Sequence, residues 1–584
     1  MKLLIEEYQY EVSAVADVLH GIDSLSDAKG KVSLHYVGYF YNKKLSDCVF
    51  ILPRVLLKDR KTELGTEELV FGKYKPEAII DLSADVVSPE SEKLSPEERD
   101  FIYKFAVWIY RAIVVYKNDK KDTTNIIYEQ HIAQVGRGQR RIGNTYLDIL
   151  LSLLWWARDN KNFVLFTLRN IHAGFNKINW NRTIATQMPT VKGNRPVYLN
   201  LVNKKRQVNF DEELLTIFYS ILNYISETYG FHAEVDLNFQ LIRGKQFENY
   251  LRGYGLMRLM QIKYKYFSDK ALQLWTLCHS FFSEAKEVTG NTDNKDYLLA
   301  KNFNLVFEAI IDELIGDKEM PDGIEREQED GKIIDHLFTG PSLISPDAEQ
   351  VYYIGDSKYY KIGYAVGKES VAKQYTYARN IIQANLDIFY EKHRTPEIRL
   401  RDDLTEGYNV IPNFFISAMI DDKRLDYSDD GISRTDRAKD RYRKYQFPNR
   451  LFDRDTLLIS HYDVNFLFVL SLYARDNASQ KAQWKEKVRL KFAKEIRQWL
   501  RKDYEFYAMR AKTGVDGQQR ILSNFKKVVG KVFTPYEDRT LYSLALERKG
   551  FEEENGALVA ELTQWFDVEL CDLEQDPKEV LRLP

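Results

Sequence analysis

The chain has 584 residues, too many for one ordinary hydrophobic core, and its formal net charge of −2 excludes a uniformly basic coat for nucleic acid. Any nucleic-acid partner must be met by a local patch. Cys48, Cys278 and Cys571 lie far apart and match neither a disulfide framework nor paired zinc ligands, which fits a reducing cytoplasm, and no signal peptide or apolar run of membrane length is expected.

Residues 1 to about 90 read as β-rich, with KVSLHYVGYFY, a turn at Asn42-Lys43-Lys44, and DCVFILPRVLL. Ser95 then caps a helix, SPEERDFIYKFAVWIYRAIVVYK, with Pro96 at its first position and Glu98 closing a capping box. GRGQRRIG, carrying Arg140 and Arg141, is a basic loop that can meet DNA or simply be solvated. NTYLDILLSLLWWARD predicts a second, mostly buried helix, and FVLFTLRNI a strand. Asn209 caps NFDEELLTIFYSILNYISETYG, and residues 244–288 continue as helix with a break at the glycines 253–255. These patterns divide into an N-terminal β-rich domain with a helix, 1–145, and a mainly helical middle domain, 146–292.

A third unit, 293–475, is expected to be an α/β core. A helix is predicted over 293–316, with Leu299, Phe303, Val306, Phe307, Ile310 and Leu314 as its apolar stripe and Glu308 and Asp312 on one flank. KIIDHLF and VYYIGDSKY then read as strands joined by the turn chemistry of GPSLISPD. The midpoint between Asp335 and Asp356 falls at Ser345-Pro346, so an antiparallel hairpin sets the two aspartates opposite each other. Lys358, two residues after Asp356, shares its face. A helix from Glu369 follows, with Val371, Tyr375, Ala378, Ile382 and Leu386 as its seam and Gln374 and Tyr377 on the neighbouring face. Strands are predicted at 410–420, where Pro412 implies an edge position or a late start, and at 455–462, before the helix VNFLFVLSLYAR. The remainder, 476–584, is expected to be a helical extension. Its first helix has the stripe Trp484, Val488, Phe492, Ile496 and Trp499, and its basic face, including Lys487, Lys491 and Lys494, can track phosphates or be solvated.

Magnesium takes hard oxygen ligands and usually only one or two protein carboxylates. Asp335 and Asp356 supply that pair, the Ser357 backbone carbonyl a third oxygen, and Glu308 a ligand for the same or a second metal. Lys358 would balance charge developing on a phosphate. The alternative is a structural salt bridge with no chemistry. His336 alternates to the opposite face of its strand and reads as a packing or supporting residue, and His461 as core or surface.

Glu on a helix, Asp and then Asp-x-Lys on consecutive strands, and a helix bearing Gln374 are similar to the PD-(D/E)xK nuclease superfamily, with Ile334-Asp335 standing where that motif has Pro-Asp. FEAIIDEL, IIDHLF, YYIGDSKYYK and KQYTYA resemble the McrC subunit of modification-dependent restriction systems, and NKINWNRTI its middle region. VGYFYN, DCVFILP and FIYKFAVWIYRAI resemble the LlaJI-type restriction endonuclease family. Where McrC-like nucleases tend to carry Tyr four residues after Gln, this chain has Ala378, with Tyr377 one earlier. The resemblance covers the chain to about residue 475 and implies an α+β multidomain protein with a restriction-endonuclease-like core. It further implies Mg²⁺-dependent cleavage of double-stranded DNA (Mn²⁺ substituting), Asp335, Asp356, Lys358, Glu308 and Gln374 as the catalytic set, and a separate McrB-like AAA+ GTPase as partner. GTP would act only through that partner, because GYAVGKE departs from a P-loop in spacing and in Glu369. Two other classes fit the same residues: a non-catalytic adaptor of the motor, and a repair or recombination nuclease acting on DNA ends.

Overall fold

Three segments of the first fifty-two residues share one sheet: β1 (Lys2–Ile5), β2 (Tyr36–Asn42) and β3 (Asp47–Leu52). β2 and β3 form the expected hairpin, with Asn42 opposite Asp47, and β1 runs parallel to β3. Pro53, which has no N–H for the ladder, ends β3. A 3₁₀ turn, Arg54–Leu56, leads into a second hairpin, β4 (Leu57–Thr62) and β5 (Gly65–Val70). Helix α1 (Pro96–Asp119) packs on the sheet, its Phe105, Ile109 and Tyr110 meeting Val37, Tyr39 and Phe50. This computed structural model describes residues 2–582 apart from 20–29, 82–95, 120–125, 130–145, 172–176, 290–296, 345–349, 392–403, 405–410, 436–442, 452–456 and breaks of up to three residues. Ser95, the basic loop with Arg140 and Arg141, and the Ser345-Pro346 turn therefore lie outside the described residues.

β6 (Ile126–Glu129) is an edge strand of the same sheet, and the middle of the chain follows with α2 (Tyr146–Asp159), β7 (Phe166–Ile171), β8 (Lys205–Phe210), α3 (Glu213–Tyr229) and α4 (Asp269–Thr289). β8 corrects one expectation. Asn209 lies within this strand, paired with β7, and not at a helix cap. The break at 253–255 is present, with Gly253 at φ 125°, a value that an L side chain disfavours.

The helix expected from residue 293 begins only at Phe303, as α5 (Phe303–Ile315). Tyr297–Lys301 is instead β9, antiparallel to both β2 and β6, and Leu299 fills the core of the N-terminal sheet and not a helical stripe. Two residues explain the difference. Gly38 lets β9 approach β2 closely, since a Cβ there would meet the Leu298 carbonyl at 2.2 Å. Asn302, in the left-handed region at φ 56°, separates strand from helix.

Next come β10 (His336–Pro341), β11 (Gln350–Lys358), α6 (Lys368–Glu391), β12 (Pro412–Met419), β13 (Ile432–Arg434), β14 (Leu457–Asn465), α7 (Phe466–Ala474) and α8 (Ala478–Asp503). Their sheet order is β10-β11-β12-β14-β13, with β11, β12 and β14 parallel and the two flanking strands antiparallel. β12 is thus an interior strand. Pro412 gives it a late start, where a missing N–H is tolerated, and the edge position is corrected. One face carries Phe338, Tyr353, Phe414 and Tyr462 against α5, α7 and α8; the other carries Leu337, Ile354, Phe415 and Ile459 against α6.

The C-terminal part is mixed and not helical. After α8 come β15 (Tyr504–Ala511), β16 (Val532–Phe533), β17 (Leu541–Glu547), α9 (Glu552–Leu562) and β18 (Phe566–Leu570), in an antiparallel sheet ordered β16-β17-β15-β18. Tyr504, Phe506 and Ala508 alternate inward along β15, a period-2 signal hidden at the end of a long helical pattern. Among the described residues no helix is long and apolar enough to cross a membrane.

Candidate functional site

The β10–β11 ladder pairs His336 with Gly355 and Leu337 with Ile354, so Asp335, one position before the first pair, stands opposite Asp356. Asp335 Oδ2 accepts a hydrogen bond from the Ser357 N–H at 3.2 Å. Lys358 Nζ sits 2.6 Å from Asp356 Oδ1 and 2.7 Å from Oδ2, and 5.5 Å from the centre of the Phe415 ring. Glu308 reaches the same place from α5, where its Oε1 lies 3.5 Å from Asn304 Nδ2.

Electrostatics tie these groups together. Burial pushes the Asp335 carboxyl up to about 7, and the charges of Asp356 and Glu308 add to the rise. Burial likewise raises Glu308 to about 7, with Asp356 raising it further and Asn304, Lys358 and Lys373 opposing. Asp335, Asp356 and Glu308 thus share one half-buried end of the sheet, with the Lys358 ammonium against Asp356.

A supporting layer lies on the opposite face. His336 Nε2 is 2.6 Å from Ser357 Oγ, and its Nδ1 is 3.5 Å from Asp312 Oδ1. Arg326 binds both oxygens of Asp312, at 3.0 and 2.8 Å, and donates to the Asp335 carbonyl at 3.0 Å. Although burial pushes the Asp312 carboxyl up, His336 and Arg326 hold it below the usual range. Arg326 and Asn304 escape sequence reading: Arg326 lies in a nonperiodic stretch, and Asn304 looks like any exposed helical residue.

The buried face of α6 is Val371, Gln374, Tyr377 and Ile381, one step around from the predicted seam; Tyr375, Ala378 and Ile382 are only half-buried. Gln374 is fully buried, and among the described residues neither its Oε1 nor its Nε2 has a partner. Tyr377 donates to the Ile333 carbonyl at 2.6 Å, two residues before Asp335. Helix α6 thereby pins the approach to the first aspartate.

Much of the basic face of α8 is engaged by partners within the chain. Lys485 donates to the Gly316 carbonyl at 2.6 Å and Arg489 Nε to that of Ile315 at 2.9 Å, satisfying the open end of α5. Lys487 pairs with Asp430 at 2.6 Å and Lys491 donates to the Ile432 carbonyl, so these two expected phosphate contacts are engaged within the chain. Lys494 is exposed. His461 is buried and stacks on Phe415, with ring centres 5.1 Å apart.

No group of three or more His, Cys, Asp or Glu side chains preformed for a metal is found among the described residues. The donor set nevertheless suits a magnesium ion, which takes few carboxylates and retains waters. Two like-charged carboxyls facing each other disfavour joint ionisation until a cation joins them, and a buried Gln374 amide is left to be satisfied. No protein-family model matches the chain, and no curated protein matches it.

Proposed function

We propose that this chain is the nuclease subunit of a restriction system, hydrolysing phosphodiester bonds of double-stranded DNA with Mg²⁺ and driven by a separate McrB-like AAA+ GTPase. The observation that carries this reading is the opposition of Asp335 and Asp356, with Lys358 on the second strand and Glu308 arriving from α5. Asp335 and Asp356 would hold the ion, with the Ser357 carbonyl and Glu308 as further oxygens; bound there, Mg²⁺ supplies a Lewis acid for the phosphate and a more acidic water. Lys358 would leave Asp356 to donate to a non-bridging phosphate oxygen, neutralising charge that grows during attack. Glu308 would serve as a carboxylate ligand, its charge balanced by the ion and by Lys358 and Lys373. Gln374 offers both a donor and an acceptor for orienting the attacking water.

The resemblance to McrC-type and LlaJI-type proteins supports the partner. The β-rich N-terminal part would dock on the motor, and GTP would act only there. The rival reading is an adaptor without chemistry, favoured by the closed Lys358–Asp356 pair. The two separate by assay of the full chain with its partner GTPase, GTP and Mg²⁺ on closed circular and linear DNA. Cleavage of the circle that stops with EDTA supports an endonuclease. Metal-independent behaviour supports the adaptor, and cleavage of linear DNA alone supports an end-processing nuclease.

A further inference from the structure

The residues after Lys358 are gripped by the first seventy residues of the chain. Tyr359 is held at three points. Its carbonyl accepts from Arg54 Nη2 at 2.7 Å, its ring lies 4.9 Å beneath the Arg54 guanidinium, and its phenol donates to Glu6 Oε2 at 2.5 Å. The Arg54 N–H donates to the same Glu6 oxygen at 3.2 Å, and the Arg54 side chain also pairs with Glu7. Beyond Tyr359 the contact continues: Lys361 pairs with Glu68, the Ile362 N–H donates to the Leu57 carbonyl at 3.1 Å, and Tyr364 donates to Asp59 at 2.7 Å.

Tyr359 also faces the site's other element. Its ring lies 5.6 Å from that of Phe303 and 6.1 Å from that of Phe307 on α5, and Phe307 immediately precedes Glu308. One fully buried side chain therefore touches the N-terminal part, abuts Lys358 in sequence, and packs on the helix that carries Glu308. Glu6 is only 3% exposed, and a buried carboxylate is a costly way to make mere packing, which an apolar residue would supply.

We propose that Arg54 and Glu6 are positioning residues that, by clamping Tyr359, transmit the placement of the N-terminal part to Lys358 and Glu308. The inference rests on the reading of Lys358 and Glu308 as site residues, and it gives partner docking on the N-terminal part a physical route to the chemistry. Loss of the clamp frees the end of β11 without touching a metal or DNA contact.

Amide hydrogen exchange on the full chain, paired with steady-state cleavage in the presence of the partner GTPase, tests this in Tyr359→Phe, Arg54→Gln and Glu6→Gln. In Tyr359→Phe and Arg54→Gln, exchange over residues 352–362 is expected to quicken roughly tenfold, the scale of one hydrogen bond to a charged group. Exchange in β12 and β14 stays as in the wild type. Cleavage by those two variants should fall through kcat with KM for DNA unchanged, whereas Glu6→Gln, which keeps an acceptor for the phenol, should leave both readouts near wild type. Unchanged exchange at 352–362 in Tyr359→Phe overturns the proposal, as does quickening spread evenly over every sheet in that variant. If the exchange shift appears while the wild type cuts no DNA, the clamp stands and the nuclease reading is what fails.

Discussion

Asp335 and Asp356 stand opposite each other across a two-stranded ladder, near enough that Asp356 pushes the Asp335 carboxyl upward. A divalent cation relieves that repulsion. Adding Mg²⁺ or Mn²⁺ should therefore raise the thermal midpoint of the wild-type chain, by the equivalent of about 3 kcal/mol at a hundredfold excess over Kd. Asp335→Asn should lose this metal-dependent rise, read by differential scanning fluorimetry. A rise of equal size in that variant would remove Asp335 from the ligand set.

Gln374 is buried with an amide that finds no partner among the described residues. An unsatisfied buried polar group costs about 1–3 kcal/mol. Gln374→Leu should accordingly be as stable as the wild type or more so, by about 1 kcal/mol in urea unfolding, yet slower in cleavage. Lower stability with full cleavage would make Gln374 a packing residue and nothing more.

Glu6 titrates at about 7 in the fold because burial outweighs the help of Tyr359 and Arg54. Between about 4.5 and 7 the folded chain holds a proton that the unfolded chain has lost, so this group's contribution to stability falls as pH rises through that window and is flat above it. The full swing is on the order of 3 kcal/mol. Glu6→Gln should abolish that slope, making the variant more stable relative to wild type at pH 8 than at pH 4.5. Parallel stability–pH curves for the two proteins would contradict the assignment.

Arg489 closes the end of α5 through the Ile315 carbonyl, pairs with Asp317 at 2.7 Å, and lies 4.4 Å from the centre of the Phe338 ring. Arg489→Ala should cost about 2–3 kcal/mol of stability. Lys487→Ala and Lys491→Ala, by contrast, should leave the salt dependence of DNA binding unchanged, since both lysines are engaged within the chain. A shallower salt slope in either variant would place α8 in the proposed DNA interface.

Much of the site was legible because its signals are local. β-Branched and aromatic residues in KIIDHLF and VYYIGDSKY, with turn residues between, point to two paired strands and their register, although β10 itself starts only at His336, and the helical period places Glu308 on a flank of α5. What escaped reading depends on distant partners. Tyr297–Lys301 looks helical in its own window but pairs with two strands about 170 and 260 residues earlier in the chain, and such pairing leaves no local trace. Lys205–Phe210 became a strand for the same reason, through β7. Arg326 could not be picked from a charged loop, because its role arises only when Asp312 and Asp335 are brought beside it.

The most direct test is a single substitution, Asp356→Ala, assayed as cleavage of closed circular DNA by the full chain with the proposed partner GTPase, GTP and Mg²⁺. Removing this carboxylate takes away one side of the facing pair and the resting partner of Lys358. We expect cleavage to drop by roughly a hundredfold or more, with partner binding and the unfolding midpoint without metal preserved. Cleavage by Asp356→Ala at the wild-type rate would contradict the account.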